Sequence, residues 1–206
     1  MARAGGWFTF RVVEDPFVPT FLTQLPMARD ALLYAYELHR GQRRASDGAP
    51  YILHALEVAA LLHTTGFGED AVTAGILHDS VEDTSVEVEA LVERFGTEVG
   101  ALVAVMTEDP DIESYQHRKA ALRRQVADFG EEATAIYAAD KVAKVRELRA
   151  QAGHDPDLLG SDEVRPRLEH YLESLAMLEA ARTDHPLVQK LRFELEALRA
   201  LPPRTG

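Results

Sequence analysis

The apolar residues of this chain recur mainly at the spacing of an α-helix from about Pro26 to Leu201, and the alternation typical of β-strands is nearly absent. This pattern predicts an all-α fold. The chain has 206 residues, 46% of them hydrophobic, which is enough for one domain with its own core. We expect a single helical domain over residues 26–201, an irregular N-terminal extension over residues 1–25 and a short tail over residues 202–206.

Helix boundaries follow from capping residues and glycines. Gly66 suits the left-handed position after a helix, and Thr84 with Glu87 fits a capping box at the start of another. The third predicted helix runs without a break through the polar residues up to Asp83. The predicted helices cover about 27–40, 52–65, 69–83, 84–95, 98–106, 114–129, 131–149, 162–182 and 186–200.

Charge and cysteine content exclude several classes of function. The net charge of −12 argues against binding to long nucleic acids or to anionic membranes, both of which favour a basic surface. The absence of cysteine excludes disulfides, thiolate zinc sites and thiol nucleophiles, so a metal would be held by His, Asp and Glu. The sequence contains no apolar run of membrane-spanning length and no signal peptide, and we expect a cytoplasmic protein.

A run of polar residues, His78-Asp-Ser-Val-Glu-Asp-Thr84, directly follows the mostly apolar stretch 71–77. On a continuous helix, His78 with Glu82 and Asp79 with Asp83 would form two pairs spaced by four residues. Three carboxylates so close together repel one another unless a cation lies among them. A divalent metal would supply that charge.

Two further residues are candidate ligands from distant parts of the chain. His54 begins a predicted helix, and Asp140 follows an apolar segment. Taken singly, a histidine on an apolar helix is more often part of the core, and an aspartate before a lysine is more often a solvated ion pair. Together with His78 and Asp79 they form a plausible sulfur-free site of the kind that suits Mn²⁺, Fe²⁺ or Mg²⁺.

The succession PYILH, HDSVEDT, FGTEVGALV, MTED, RK and ADKVAKVREL resembles, in order and spacing, the histidine–aspartate (HD) phosphohydrolase domain of the RelA/SpoT alarmone enzymes and of the small alarmone hydrolases known as metazoan SpoT homologues. The resemblance covers about residues 27–180. It implies a single HD-domain helical bundle. It also implies hydrolysis of the 3′-pyrophosphate of guanosine tetra- or pentaphosphate, which gives the 5′-nucleotide and pyrophosphate.

The resemblance also implies roles for individual residues. Glu82 and Asp83 would orient and deprotonate the attacking water, and Mn²⁺ would be the metal, with Fe²⁺, Co²⁺ or Mg²⁺ as substitutes. The implied metal ligands are His54, His78, Asp79 and Asp140.

A small nucleotide polyphosphate is the expected partner, and the chain carries cations for it. Arg43 and Arg44 match a basic pair of the family in the loop after the first helix, and Arg118 and Lys119 match its RK pair. Lys144 departs from the family, which usually has Asn at this position, and we expect it to contact another phosphate or to alter the sugar face that is accepted. A homo-oligomer is compatible with the sequence.

Two alternatives remain open at this point. Lys144 favours a related phosphatase that acts on NADPH or on another nucleotide. A non-catalytic HD domain that senses nucleotides would retain the same fold. The remaining histidines have no second ligand at metal spacing and are expected to be structural or exposed: His39, His63, His117, His154, His170 and His185.

Overall fold

The computed structural model describes residues 18–201, which form ten α-helices with short connections. The expected extension over residues 1–25 and the tail over residues 202–206 lie mostly outside the described residues; the part that is described contains a 3-10 helix, Thr20–Gln24. The helices are α1 (Pro26–Leu38), α2 (Ile52–Thr64), α3 (Glu69–Leu77), α4 (Ser80–Asp83), α5 (Val88–Phe95), α6 (Thr97–Met106), α7 (Tyr115–Phe129), α8 (Glu131–His154), α9 (Val164–Arg182) and α10 (Pro186–Arg199).

The all-α prediction is confirmed, and most predicted boundaries agree with the structure to within a few residues. Gly66, after α2, has a φ of +89°, a conformation that glycine adopts without steric cost. Helix α8 continues beyond the predicted end to His154, where it packs against a second 3-10 helix, Pro156–Gly160. No helix of the described chain has the length and hydropathy needed to cross a membrane.

Two predictions about the HDSVEDT segment are wrong. The capping box is absent, because the Thr84 hydroxyl donates to the Ser80 carbonyl at 2.6 Å and the next helix has Glu87 at its N-cap. The continuous helix through Asp83 is also absent: α3 ends at Leu77, and α4 is a separate single turn. His78 and Asp79 occupy the break between them. Successive residues of a straight helix point about 100° apart, whereas this break lets both side chains reach the same point.

Helix α8 is the centre of the fold. It packs against α2, α3, α6, α7, α9 and α10. Small side chains on several of its faces permit this close approach, since Ala133, Ala138, Ala139 and Ala143 are all fully or almost fully buried. Because α8 is surrounded in this way, Asp140 lies in the interior. On an exposed helix the same residue would face water.

Helix α3 is fixed in place at its N-terminus and along its length. The Glu69 carboxylate accepts hydrogen bonds from the backbone N–H groups of Met27 at 2.7 Å and Ala28 at 3.4 Å, which joins the start of α3 to the start of α1. Farther along α3, Gly75 lies against α2: a Cβ atom there would lie 2.4 Å from Leu62 Cδ1 and 3.3 Å from Val58 Cγ1. The absent side chain therefore allows α2 and α3 to approach closely just before His78.

We predict that Gly75→Val lowers the free energy of unfolding by about 2 kcal/mol, because the added methyl groups overpack the contact with the buried Leu62. Urea unfolding followed by circular dichroism measures the change. Gly153→Val is the matched control, since a Cβ at this exposed position in α8 meets no atom within 4 Å, and we expect a change within roughly 0.5 kcal/mol. Equal unfolding midpoints for the two variants would contradict the role of Gly75.

Candidate metal centre

Four side chains from three parts of the fold converge in the interior. His54 lies on α2, His78 and Asp79 lie at the break between α3 and α4, and Asp140 lies on α8. One ligand atom from each residue lies within 4.8 Å of all the others. Among the residues that the structure describes, no other group of three or more His, Asp or Glu side chains has this geometry. The four residues predicted as metal ligands are thus brought together.

The two imidazoles present the same nitrogen to this cluster. His54 Nε2 lies 3.4 Å from His78 Nε2 and 3.2 Å from Asp140 Oδ1. His78 Nε2 lies 3.1 Å from Asp79 Oδ2 and 3.5 Å from Asp140 Oδ1. Four donor atoms therefore face a common point.

Residues outside the cluster contact three of the candidate ligands and help to orient them. His78 Nδ1 lies 2.9 Å from the Gly75 carbonyl oxygen, so Nδ1–H donates to it and the lone pair of a neutral ring is left on Nε2. The Tyr51 hydroxyl donates to Asp79 Oδ2. His54 Nδ1 lies 3.9 Å from Glu147 Oε1. Each of these ligands thus has a partner outside the cluster.

Each oxygen of the Asp140 carboxylate has a lysine as its ion-pair partner, but only one of the two oxygens accepts a hydrogen bond. Oδ2 pairs with Lys141 Nζ at 2.6 Å. The buried Oδ1 faces the two histidines and lies 3.0 Å from Lys144 Nζ, but it accepts no hydrogen bond. A buried carboxylate oxygen without a hydrogen bond is costly. The Lys144 ammonium balances the charge of this oxygen, and a metal ion bound among the donors would coordinate it directly.

The charges in the cluster shift the pKa values of Asp140 and His78. Burial by itself would raise the pKa of Asp140, but the adjacent Lys141 and Lys144 hold it well below its usual range. Burial would likewise lower the pKa of His78, but the neighbouring Asp79 and Asp140 carboxylates outweigh it and raise the pKa to about 10. The cluster thus favours a bound positive charge, either a proton or a metal ion.

Nitrogen and oxygen donors without sulfur fit a divalent metal of borderline or hard character. Two imidazoles and two carboxylates are a common set for Mn²⁺ or Fe²⁺, whereas structural zinc sites usually include thiolates. The carboxylate oxygen without a hydrogen bond and the facing Nε2 atoms supply suitable ligands. The residues present therefore fit the expected metal.

Glu82 and Asp83 lie on the short helix α4, directly after the ligand pair. Partial burial raises the pKa of both carboxyl groups, and the negative charge of Asp79 raises it further. Glu82 also accepts a hydrogen bond from the backbone N–H of Glu108. Both carboxyls are exposed enough to meet water, and their raised pKa makes each a stronger base than an ordinary surface carboxylate.

The two loop arginines have different surroundings. Arg43 is exposed, and its guanidinium donates to the Gly48 carbonyl at 3.2 Å. Arg44 forms ion pairs with Asp47 and with Glu147, the latter at 3.2 Å. Arg44 thus holds the carboxylate that lies beside His54.

The predicted Arg118–Lys119 pair is bound to one carboxylate. Arg118 Nε lies 2.6 Å from Glu108 Oε2, and Lys119 pairs with the other oxygen of the same side chain. Glu108 also donates its backbone N–H to Glu82. This residue therefore connects the two cations to the candidate base.

Several residues of the site were not identified from the sequence. Tyr51 lies in the PYILH motif, three residues before His54, and Glu108 lies in the MTED motif; the motifs by themselves indicate no role for either residue. Lys141 follows Asp140 and forms a buried ion pair with it, whereas the sequence by itself favoured a solvated ion pair. His39 is buried and stacks on Tyr51 at a ring distance of 4.5 Å, which agrees with a structural role.

Comparison with known sequences gives matches over the region that holds the site. The HD domain family model matches residues 31–161. A Synechocystis protein named probable guanosine-3′,5′-bis(diphosphate) 3′-pyrophosphohydrolase is 47% identical over 77 residues, which are 37% of this chain and 10% of that protein. A Myxococcus xanthus GTP pyrophosphokinase is 42% identical over 83 residues, 40% of this chain and 11% of that protein. The match thus spans about a tenth of each relative.

Solved structures resemble most of the fold. A metazoan ortholog of SpoT, described as hydrolysing ppGpp and acting in starvation responses, superposes with a TM-score of 0.69 at 25% identity, covering 91% of this chain and all of the other. A crystal structure from Listeria monocytogenes superposes with a TM-score of 0.66 at 28% identity, covering 73% of this chain and 98% of the other. The family model spans more than half of the chain, including all four clustered residues, and the chain therefore belongs to the HD domain family.

Proposed function

We propose that this chain is a metal-dependent hydrolase that removes the 3′-pyrophosphate from guanosine tetra- or pentaphosphate. The observation that carries the proposal is the buried cluster of two imidazoles and two carboxylates, followed directly by two carboxyls of raised pKa. The names of the Synechocystis relative and of the metazoan structure support this substrate class.

In this proposal His54, His78, Asp79 and Asp140 hold the metal, and Mn²⁺ is the favoured ion, with Fe²⁺, Co²⁺ or Mg²⁺ as substitutes. A bound divalent cation lowers the pKa of water and polarises a phosphoryl oxygen. Ligation requires neutral imidazoles, and the Gly75 carbonyl, as acceptor from Nδ1, selects the tautomer of His78 that offers Nε2.

Glu82 and Asp83 orient the attacking water and take its proton. Their position one turn after Asp79 places them next to the metal ligands. A general base is most effective when its pKa lies near the working pH, and burial together with Asp79 shifts both groups in that direction. The backbone N–H of Glu108 fixes one oxygen of Glu82.

The cations around the site bind the phosphates. Arg43 is exposed, and Arg118 and Lys119 share the Glu108 carboxylate. A substrate polyphosphate carries more negative charge than one carboxylate, so it competes effectively for this pair. Arg44 contributes chiefly by holding Glu147 near His54.

We predict that the purified protein with Mn²⁺ releases pyrophosphate from guanosine tetraphosphate, and that the double variant Glu82→Gln/Asp83→Asn reduces kcat at least about 100-fold, because it removes the proton acceptors. Product analysis by anion-exchange chromatography measures both rates. Glu89→Gln, on the exposed face of α5, is the matched control and is expected to retain parental activity.

The same chromatogram separates the proposed reaction from the alternative suggested by Lys144. Release of phosphate from NADPH with no pyrophosphate from guanosine tetraphosphate would replace the proposed substrate with another nucleotide. Failure of the parent protein to hydrolyse any nucleotide with Mn²⁺, Fe²⁺, Co²⁺ or Mg²⁺ would refute the proposal.

We further predict that Mn²⁺ stabilises the chelator-treated protein. At a free concentration 100 times the Kd, binding adds about 2.7 kcal/mol to the free energy of unfolding, which raises Tm by about 5–10 °C in a domain of this size. His78→Gln should lose this increase, whereas His117→Gln, an exposed histidine on α7, should keep it. Thermal unfolding by calorimetry with and without Mn²⁺ provides the measurement, and an equal increase in both variants would exclude His78 as a ligand.

A further inference from the structure

The ammonium group of Lys144 lies among the candidate metal ligands. Lys144 is one turn after Asp140 on α8, and its Nζ lies 3.0 Å from Asp140 Oδ1 and 3.6 Å from Asp79 Oδ2. These are the same two oxygen atoms that lie 3.2 Å and 3.8 Å from His54 Nε2. Lys144 therefore contacts the carboxylate oxygens that complete the ligand set with the imidazoles.

The neighbouring Lys141 is placed differently. Its Nζ pairs with the other oxygen of Asp140, Oδ2, and lies 4.3 Å from the centre of the Tyr137 ring. The Lys141 side chain is 5% exposed, whereas that of Lys144 is 34% exposed. Lys141 thus provides a permanent counter-charge on the far side of Asp140, while Lys144 has a route to solvent.

An ammonium group and a divalent ion cannot share these oxygens without strong repulsion. Coulomb energy rises as the effective dielectric constant falls, and Asp140 and His54 are almost fully buried. A long, flexible lysine side chain with access to water relieves the repulsion by moving away. Binding of the metal then includes the cost of breaking the Lys144 ion pairs.

We propose that Lys144 is a tethered competitor for the metal: it neutralises Asp79 and Asp140 in the metal-free protein and weakens divalent-cation binding because it must first leave their oxygens. This inference relies on the proposed function only for the identity of the site. It makes Lys144 a determinant of metal affinity, a role distinct from the phosphate contact expected from the sequence.

The experiment compares Mn²⁺ binding to chelator-treated protein by isothermal titration calorimetry. Lys144→Met removes the charge but keeps most of the apolar stem, and we expect its Kd to be about tenfold lower than that of the parent. Lys144→Arg keeps a positive charge and should bind within about threefold of the parent. Lys190→Met, at an exposed lysine of α10, removes the same charge elsewhere and should bind like the parent.

Thermal unfolding separates competition from a merely structural role. Without metal, Lys144→Met should lower Tm, because the Asp79 and Asp140 carboxylates lose a counter-charge; with saturating Mn²⁺, the increase in Tm should exceed that of the parent. A Mn²⁺-induced increase equal to or smaller than that of the parent, or a Kd that is equal or higher, would overturn the proposal.

Failure of the competition proposed for Lys144 can be distinguished from failure of the proposed hydrolysis. Parent protein that binds Mn²⁺ but hydrolyses no nucleotide would refute the proposed function and leave the competition measurable. Parent protein and Lys144→Met that both fail to bind Mn²⁺ would refute the metal centre and the competition together.

Discussion

The charge of Asp140 in the helical interior is the constraint that the rest of the site satisfies. Its side chain is 2% exposed, and an isolated carboxylate there would be strongly destabilising. Lys141 neutralises one oxygen, while Lys144 and the two imidazoles approach the other. Removing a single partner from such a group leaves an uncompensated buried charge. The resulting loss in free energy of unfolding is larger than the stabilisation that a surface ion pair contributes. The site is therefore a balanced set of charges in which each member depends on the others.

The packing of the helices brings these charged side chains together. Helix α8 is surrounded on several faces because its alanines allow neighbouring helices to approach, and this arrangement brings Asp140 inside. Gly75 brings α3 close to α2, and the break after Leu77 turns His78 and Asp79 toward His54. Packing of small residues and interruption of one helix thus bring four candidate ligands from three parts of the chain together, with one atom of each within 4.8 Å of the others.

The sequence predicted the helices well, because apolar spacing and capping glycines are local signals. It also predicted which residues form the cluster, because the motifs that contain His54, His78, Asp79 and Asp140 occur together in a known family. The capping box at Thr84 and the unbroken helix were wrong for a common reason. Local propensity favours a continuous helix there, whereas the buried contacts of His78 and Asp79 favour a turn.

Other features of the site depend on distances that sequence does not contain. Nothing in the motif around Lys119 indicates that it shares Glu108 with Arg118, since this geometry arises only when α7 packs beside the loop that follows α6. Likewise, the ion pair of Arg44 with Glu147 joins residues 103 positions apart. In the sequence Arg44 is available to a phosphate, whereas in the structure its partner Glu147 lies beside the candidate ligand His54.

The bond from Glu69 to the first turn of α1 has a consequence for the motion of the domain. Amide protons in the first turn of a helix have no acceptor within the helix and usually exchange with water after only local fraying. Here the amide protons of Met27 and Ala28 bond to a side chain that begins α3, the helix that leads into His78. The N-terminal end of α1 therefore cannot open without breaking its contact with the start of α3, and hydrogen exchange at these two amides reports on that contact.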